Sequence, residues 1–251
     1  MLVLAHISDL HLDGTGRTAR RAGRVRDRLW ALPGRVDALL VTGDIADHGT
    51  EAEYEEAARL LGLDTGAAPF PVLTCPGNHD RRAPYRKALL GRDPADGPVN
   101  DVHVFDGGAV LMCDSSIPGS DEGELDEETY GWIESSLDEL GADRPVVLAF
   151  HHPPVVLHHP ALDAIRLRRP ERLAALLERR PEIAGVITGH AHSAAASVFA
   201  GRPLIVGPGV FSELRLPWEG GEEIADRDAP VGLAFHVLDD AGRLTTHFRT
   251  V

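Results

Sequence analysis

Seven short runs rich in valine, leucine and isoleucine punctuate the chain, at residues 2–7, 38–42, 71–75, 109–113, 146–150, 185–188 and 204–206, bounded by glycine, proline or aspartate. Runs of this length and composition read as buried strands. Helical spacing fills the gaps between them. Ala22, Val25, Leu29 and Leu32 share one helix face, and Thr50 with Glu53 forms a capping box ahead of Tyr54, Ala57, Ala58 and Leu61. Leu125, Trp132, Ile133, Leu137 and Leu140 mark a third helix, and Pro170 opens a fourth before Leu173, Leu176 and Leu177. Strand and helix therefore alternate to about residue 207, which predicts an α/β layered domain rather than a bundle or sandwich. Residues 212–230 lack periodicity and read as a long loop. Runs at 231–237 and 244–248 around a turn at 239–242 read as a closing hairpin. No linker or repeat interrupts the chain, so residues 1–251 are expected to form one domain.

The 251 residues suffice for a sizeable core, and 43% hydrophobic with 25% charged residues excludes a disordered or collagen-like chain. No apolar run approaches the roughly 18 residues of a membrane span. A net charge of -14 argues against clamping long nucleic acid, although a small anion can still bind where the local potential is positive. Cys75 and Cys113 sit in apolar runs and read as free buried thiols. The first residues offer no basic region and too short an apolar stretch for a secretory signal, so the expected location is cytoplasmic.

Thirteen histidines are the compositional outlier, and they cluster where strands end. Asp9 and His11 follow the first run; Gly43 and Asp44 follow the second; Gly77, Asn78, His79 and Asp80 follow the third. His151 and His152 follow the run at 146–150, and Gly189, His190, Ala191 and His192 follow the run at 185–188. A side-chain spacing of two lets Asp9 and His11 hold one cation. Ligands in open α/β sheets collect outside the carboxyl ends of strands. Oxygen and imidazole donors without thiolate suit manganese, iron, zinc, cobalt or nickel, and Asp44 has two oxygens with which to bridge two ions.

Together these blocks, in this order from residue 9 to 192, resemble the signature of the calcineurin-like metallophosphoesterases. Asp114-Ser115, Gly123, Trp132 and Leu162-Asp163 look like the branch of class III cyclic-nucleotide phosphodiesterases and glycerophosphodiesterases. The resemblance implies a four-layer αββα sandwich. It implies two divalent or mixed-valence transition metal ions (manganese, iron, zinc or cobalt), one held by Asp9, His11, Asp44 and His192, the other by Asp44, Asn78, His151 and His190. His79 would lie beside the scissile phosphate as the catalytic acid or charge stabiliser, with Asp80 orienting it.

The implied reaction is hydrolysis of small phosphodiesters by hydroxide generated between the ions, with a broad phosphomonoesterase as the alternative. The expected partner is a small phosphate ester, with no membrane, no long nucleic acid, and a homodimer left open. His152 is expected to point away from the site, His6 to be structural, and His48, His158 and His159 to line a pocket or lie in solvent. Residues 155–169 and 212–230 are expected to leave the site open.

Overall fold

The computed structural model describes residues 1–221 and 223–251; Glu222, read with Glu219 and Glu223 as an exposed acidic loop, lies outside them. In chain order the elements begin β1 (Leu2–Ile7), α1 (Gly16–Trp30), β2 (Ala38–Thr42), α2 (Glu51–Leu60), β3 (Val72–Cys75) and α3 (Arg82–Leu90). Next come β4 (Asp101–Phe105), β5 (Gly108–Met112), β6 (Ser116–Ile117), β7 (Ser120–Gly123), α4 (Glu127–Leu140), β8 (Val146–Ala149), α5 (Pro160–Asp163) and α6 (Pro170–Arg179). The last are β9 (Ile183–Thr188), β10 (Ala195–Phe199), β11 (Arg202–Val206), β12 (Glu213–Leu214), β13 (Ala225–Asp226), β14 (Gly232–Leu238) and β15 (Leu244–Thr250).

Two sheets carry the fold, in the orders β15-β14-β1-β2-β3 and β10-β11-β9-β8-β5-β4. β1, β2 and β3 are parallel, as are β5, β8, β9 and β11, so their carboxyl ends gather at one edge of each sheet. Alternation along each strand builds the layers. Leu2, Leu4, Leu40, Leu73, Val110, Met112, Val147 and Ala149 pack between the sheets. Ala5, Ile7, Leu39 and Val41 face outward onto Val25, Leu29, Tyr54 and Tyr85 of α1, α2 and α3. Leu111, Val146 and Leu148 face Ile133, Leu137, Leu173 and Leu177 of α4 and α6. Helix, sheet, sheet and helix thus make the expected αββα sandwich.

Several boundaries differ from the sequence reading. The third helix starts at Glu127 rather than Leu125, because the Asp126 side chain accepts the Thr129 amide at 2.8 Å and caps it there. Leu32 lies beyond the end of α1. The stretch 212–230 is not wholly irregular, since β12 and β13 pair within it. The edge strands β4 and β10 escape sequence detection because water reaches one face of β4 and three successive residues of β10; Val104 and Val198 are 56% and 69% exposed.

One polar chain crosses the otherwise apolar layer between the sheets. The Thr42 hydroxyl donates to Ser8 Oγ at 2.9 Å, so it accepts a proton from His6 Nε2 at 2.8 Å. His6 Nδ1 is then the acceptor for His236 Nε2 at 3.1 Å, and His236 Nδ1 accepts from the Thr246 hydroxyl at 2.8 Å. With both imidazoles neutral, every donor in this chain meets an acceptor. Burial, reinforced by His236, holds His6 well below the ordinary imidazole value, and burial lowers His236 to about 3.

The unfolded chain protonates these imidazoles below about pH 6.5 while the folded chain does not, so their stability contribution is complete above that value and is lost as pH falls. Each adds up to about 1.4 kcal/mol per pH unit to the slope. Urea unfolding between pH 7.5 and 5 is expected to show a shallower decline for His236→Gln than for the wild type; equal slopes would remove the assignment.

Candidate metal centre

The five polar clusters meet where the parallel strands end. Asp9 and His11 follow β1, Asp44 follows β2, Asn78 and His79 follow β3, His151 follows β8, and His190 and His192 follow β9. Asp9 and His151 are fully buried, and His11, Asp44 and His190 are at most 5% exposed. The backbone is strained to achieve this. Asp9, His11, Asp44, His190 and His192 account for five of the eight described non-glycine residues with positive φ, an arrangement costing about 1–3 kcal/mol each and typical of functional sites.

Three imidazoles share one orientation. His11 Nδ1 faces the Asp47 carboxylate at 2.9 Å, His151 Nδ1 donates to the Thr42 carbonyl at 2.7 Å, and His192 Nδ1 meets Ser212 Oγ at 2.9 Å. Each Nε2 is thereby turned inward. His11 and His192 bring these atoms within 3.2 Å of each other, and His151 Nε2 lies 3.1 Å from Asn78 Oδ1 and 3.2 Å from His190 Nδ1. Asp44 Oδ2 stands between the two groups, 3.6 Å from His11 Nε2 and 3.3 Å from His151 Nε2.

Asp9 completes the cluster. Its Oδ2 accepts the His190 amide at 3.1 Å, while its Oδ1 is buried without a hydrogen-bond partner, 3.5 Å from His192 Nε2. Donors held about 2.1 Å from a shared divalent ion stand roughly 3.0 to 3.4 Å apart. The observed spacings and the orphaned carboxylate oxygen therefore fit two cations better than a hydrogen-bonded network.

The electrostatics agree. Burial alone would raise Asp44, but the imidazoles of His151, His11 and His79 outweigh it and hold the carboxylate well below its usual range. Burial likewise opposes protonation of His151, and the facing carboxylates, Asp44 first, overcome it to push that imidazole up to about 9. Positive charge is what the carboxylates of this cluster draw in.

Asp80 does not orient His79. Its carboxylate accepts the amides of Ile45, Ala46 and Gly77 and the Tyr54 hydroxyl, at 2.9 to 3.2 Å, pinning the loops after β2 and β3 together. Burial and the nearby Asp44 charge raise it to about 6 despite those amides. His79 is oriented instead by Asp47, whose carbonyl accepts from Nδ1 at 2.8 Å, leaving Nε2 free. Asp47, Ser212 and Phe211 escaped the sequence reading. Phe211 lays its ring 5.0 Å from that of His11. The only local hint was a second acid three residues after Asp44.

His152 also departs from expectation. It is buried beside the centre, its ring 4.7 Å from His190 and its Nδ1 2.8 Å from Ser115 Oγ. His6 is structural as expected. His48 is mostly exposed and bonded to Glu53, His158 is exposed, and His159 is buried. The stretches 155–169 and 212–230 rest through Leu157, Leu162 and Leu214 against Ala191, beside the centre. On the opposite side His79 opens into a cavity of about 750 Å³ bordered by Pro84, Ile117 and Pro118.

A family model for calcineurin-like phosphoesterases matches residues 2–194. A probable cyclic nucleotide phosphodiesterase of Rhodococcus erythropolis is 33% identical over 244 residues, spanning 94% of this chain and 80% of that protein. The glycerophosphodiester phosphodiesterase GpdQ of Enterobacter lignolyticus is 36% identical over 203 residues, 76% of this chain and 71% of that protein. Among solved structures, a dimetal phosphatase from Danio rerio superposes with a TM-score of 0.69 at 13% identity, covering 98% of both chains, a likeness of fold.

Gly77 offers a test of the cluster's geometry. A Cβ there would lie 2.2 Å from Asp44 Oδ1 and 2.5 Å from its amide nitrogen, so Gly77→Ala must displace the central carboxylate. Manganese titration followed by electron paramagnetic resonance is expected to show affinity weakened at least about tenfold, as for loss of a supporting group. Wild-type affinity in a folded variant would contradict it.

Proposed function

The chain belongs to the calcineurin-like phosphoesterase family, and from that premise we propose that it hydrolyses small phosphodiesters of the cyclic-nucleotide or glycerophosphodiester type. Membership implies divalent metal ions. Asp9, His11, Asp44 and His192 would hold one, and Asp44, Asn78, His151 and His190 the other. Carboxylate, amide and imidazole donors suit manganese, iron, zinc or cobalt. When bound, such a pair neutralises phosphoryl oxygens and lowers the pKa of water. The observation that carries the reading is Asp44 Oδ2, which faces both groups of inward-turned imidazoles.

The remaining residues shape the reaction around that centre. The Asp47 carbonyl is only an acceptor, so His79 Nδ1 keeps its proton and Nε2 faces the cavity. From there, when Nε2 also carries a proton, His79 can stabilise charge on the phosphate or pass that proton to the departing alcohol. The leaving group fits the cavity beyond it. Arg82 fixes that wall, with Nε on Asp114 Oδ2 at 2.8 Å and a terminal nitrogen on the Ser116 carbonyl at 2.9 Å. No helix of the described residues is long and apolar enough to cross a membrane. Buried free thiols at Cys75 and Cys113 suit a reducing cytoplasm, the location we assign.

Manganese-loaded protein is expected to turn over bis(p-nitrophenyl) phosphate faster than p-nitrophenyl phosphate; the reverse order would favour a monoesterase. His79→Ala should keep its metal content, measured by elemental analysis, and lose about 10²- to 10⁴-fold in kcat on a diester with a poor leaving group. Unchanged kcat would end its role. Asp44→Ala should retain neither ion at full occupancy, and a fully loaded variant would show that this carboxylate is no bridge.

A further inference from the structure

In a chain of net charge -14, five arginines crowd one cavity. Arg17, Arg20, Arg21 and Arg24 of α1 and Arg227 line about 480 Å³ with a single acid, Asp228. That acid is spent on Arg17 at 2.8 Å. Arg21 is spent too, on the carbonyls of Val210, Arg227 and Ala229, which ties α1 to the segment behind the centre. Burial and then the charges of Arg17 and Arg24 lower Arg21 below its ordinary value. The guanidinium groups of Arg20 and Arg227 have no acceptor among the described residues. Arg24 is held by the Val251 oxygen at 3.0 Å, so Arg20 and Arg227 are the two charges left without a bonded partner, and two like charges so placed favour an anion within the cavity.

The cavity also adjoins the centre. Arg227 Cζ lies 4.9 Å over the Phe211 ring, and the Phe211 ring centre is 5.0 Å from that of His11, so one aromatic ring separates Arg227, at the edge of the cavity, from that side chain. The cavity beside His79 is of mixed charge, with Asp47 and Asp96 bordering it alongside Arg81 and Arg82, the last already held by Asp114. We propose that the arginine cavity is an anion-binding subsite for a second negatively charged group, phosphate or carboxylate, on the small phosphate esters that the centre accepts. This assignment rests on the phosphoesterase reading.

Fructose 1,6-bisphosphate and fructose 6-phosphate differ by one phosphate at the far end of the sugar and serve as probes in calorimetric titrations of the manganese-loaded chain. At low ionic strength the bisphosphate is expected to bind about tenfold more tightly, the worth of one charge-assisted contact set. High salt should shrink that ratio. Arg20→Gln, which breaks no hydrogen bond, should cut the ratio, and adding Arg227→Gln should bring it to about one; Arg28→Gln, on the same helix outside the cavity, should not alter it. A wild-type ratio near one, or equal losses for both probes, overturns the subsite. Turnover of bis(p-nitrophenyl) phosphate by the same preparation tests the underlying reading separately: a normal ratio without turnover condemns the reaction and not the cavity.

Discussion

Carboxylate oxygens and imidazole nitrogens packed within 4 Å of one another, out of water, repel unless positive charge lies between them. Asp9, His11, Asp44, His151 and His192 are in that situation, and much of the surrounding structure is arranged to keep them there. Protons on the inward nitrogens of His11 and His151, whose imidazoles the facing carboxylates push up, supply part of that charge, one unit at a time. Divalent ions supply it well. A cation bound at a thousand times its dissociation constant returns about 4 kcal/mol of stability, enough to offset several strained backbone positions or one buried carboxylate.

Parallel topology makes this convergence feasible. Each parallel strand delivers its carboxyl end to the same edge, and the loop that follows must turn sharply to aim a short side chain inward. Two glycines permit close approaches between ligand-bearing loops. Gly43 has φ near 86°, and a Cβ there would meet the His151 ring at 2.3 Å; at Gly77 it would meet Asp44. The ligand-bearing residues themselves take up the left-handed turns, which explains why polar residues stand where a loop would ordinarily use glycine.

Much of this was legible because it is local. Apolar runs of strand length gave the sheets, and the strand-end clusters at Asp9, Asp44, Asn78, His151 and His190 are short contiguous words. What supports them is long-range. His11 meets Asp47 across 36 positions, His152 meets Ser115 across 37, and His192 meets Ser212 across 20. No periodicity encodes such pairings. Asp80 shows the converse error: adjacency to His79 suggested a partnership, but neighbouring residues in a turn point apart, and the carboxylate serves backbone amides instead. Edge strands such as β4 were missed because one-sided exposure breaks the continuous apolar run that marks central strands.

The core and the centre are one hydrogen-bonded system, joined at Thr42. Its carbonyl accepts both the Ser8 hydroxyl at 2.8 Å and His151 Nδ1 at 2.7 Å, and its hydroxyl takes part in the His6–His236 chain between the sheets. A carbonyl has two lone pairs, and here both are used, so the rotamer of Ser8 and the aim of His151 are set together. Protonating His6 would oblige His236 Nε2 to accept and turn its Nδ1 proton toward Thr246, reversing the chain from that end, and burial opposes the added charge. A polar thread through an apolar layer is costly unless every member is satisfied. Its retention at the strand end that aims His151 is best understood as positioning: stability spent in the core to hold one nitrogen at the centre.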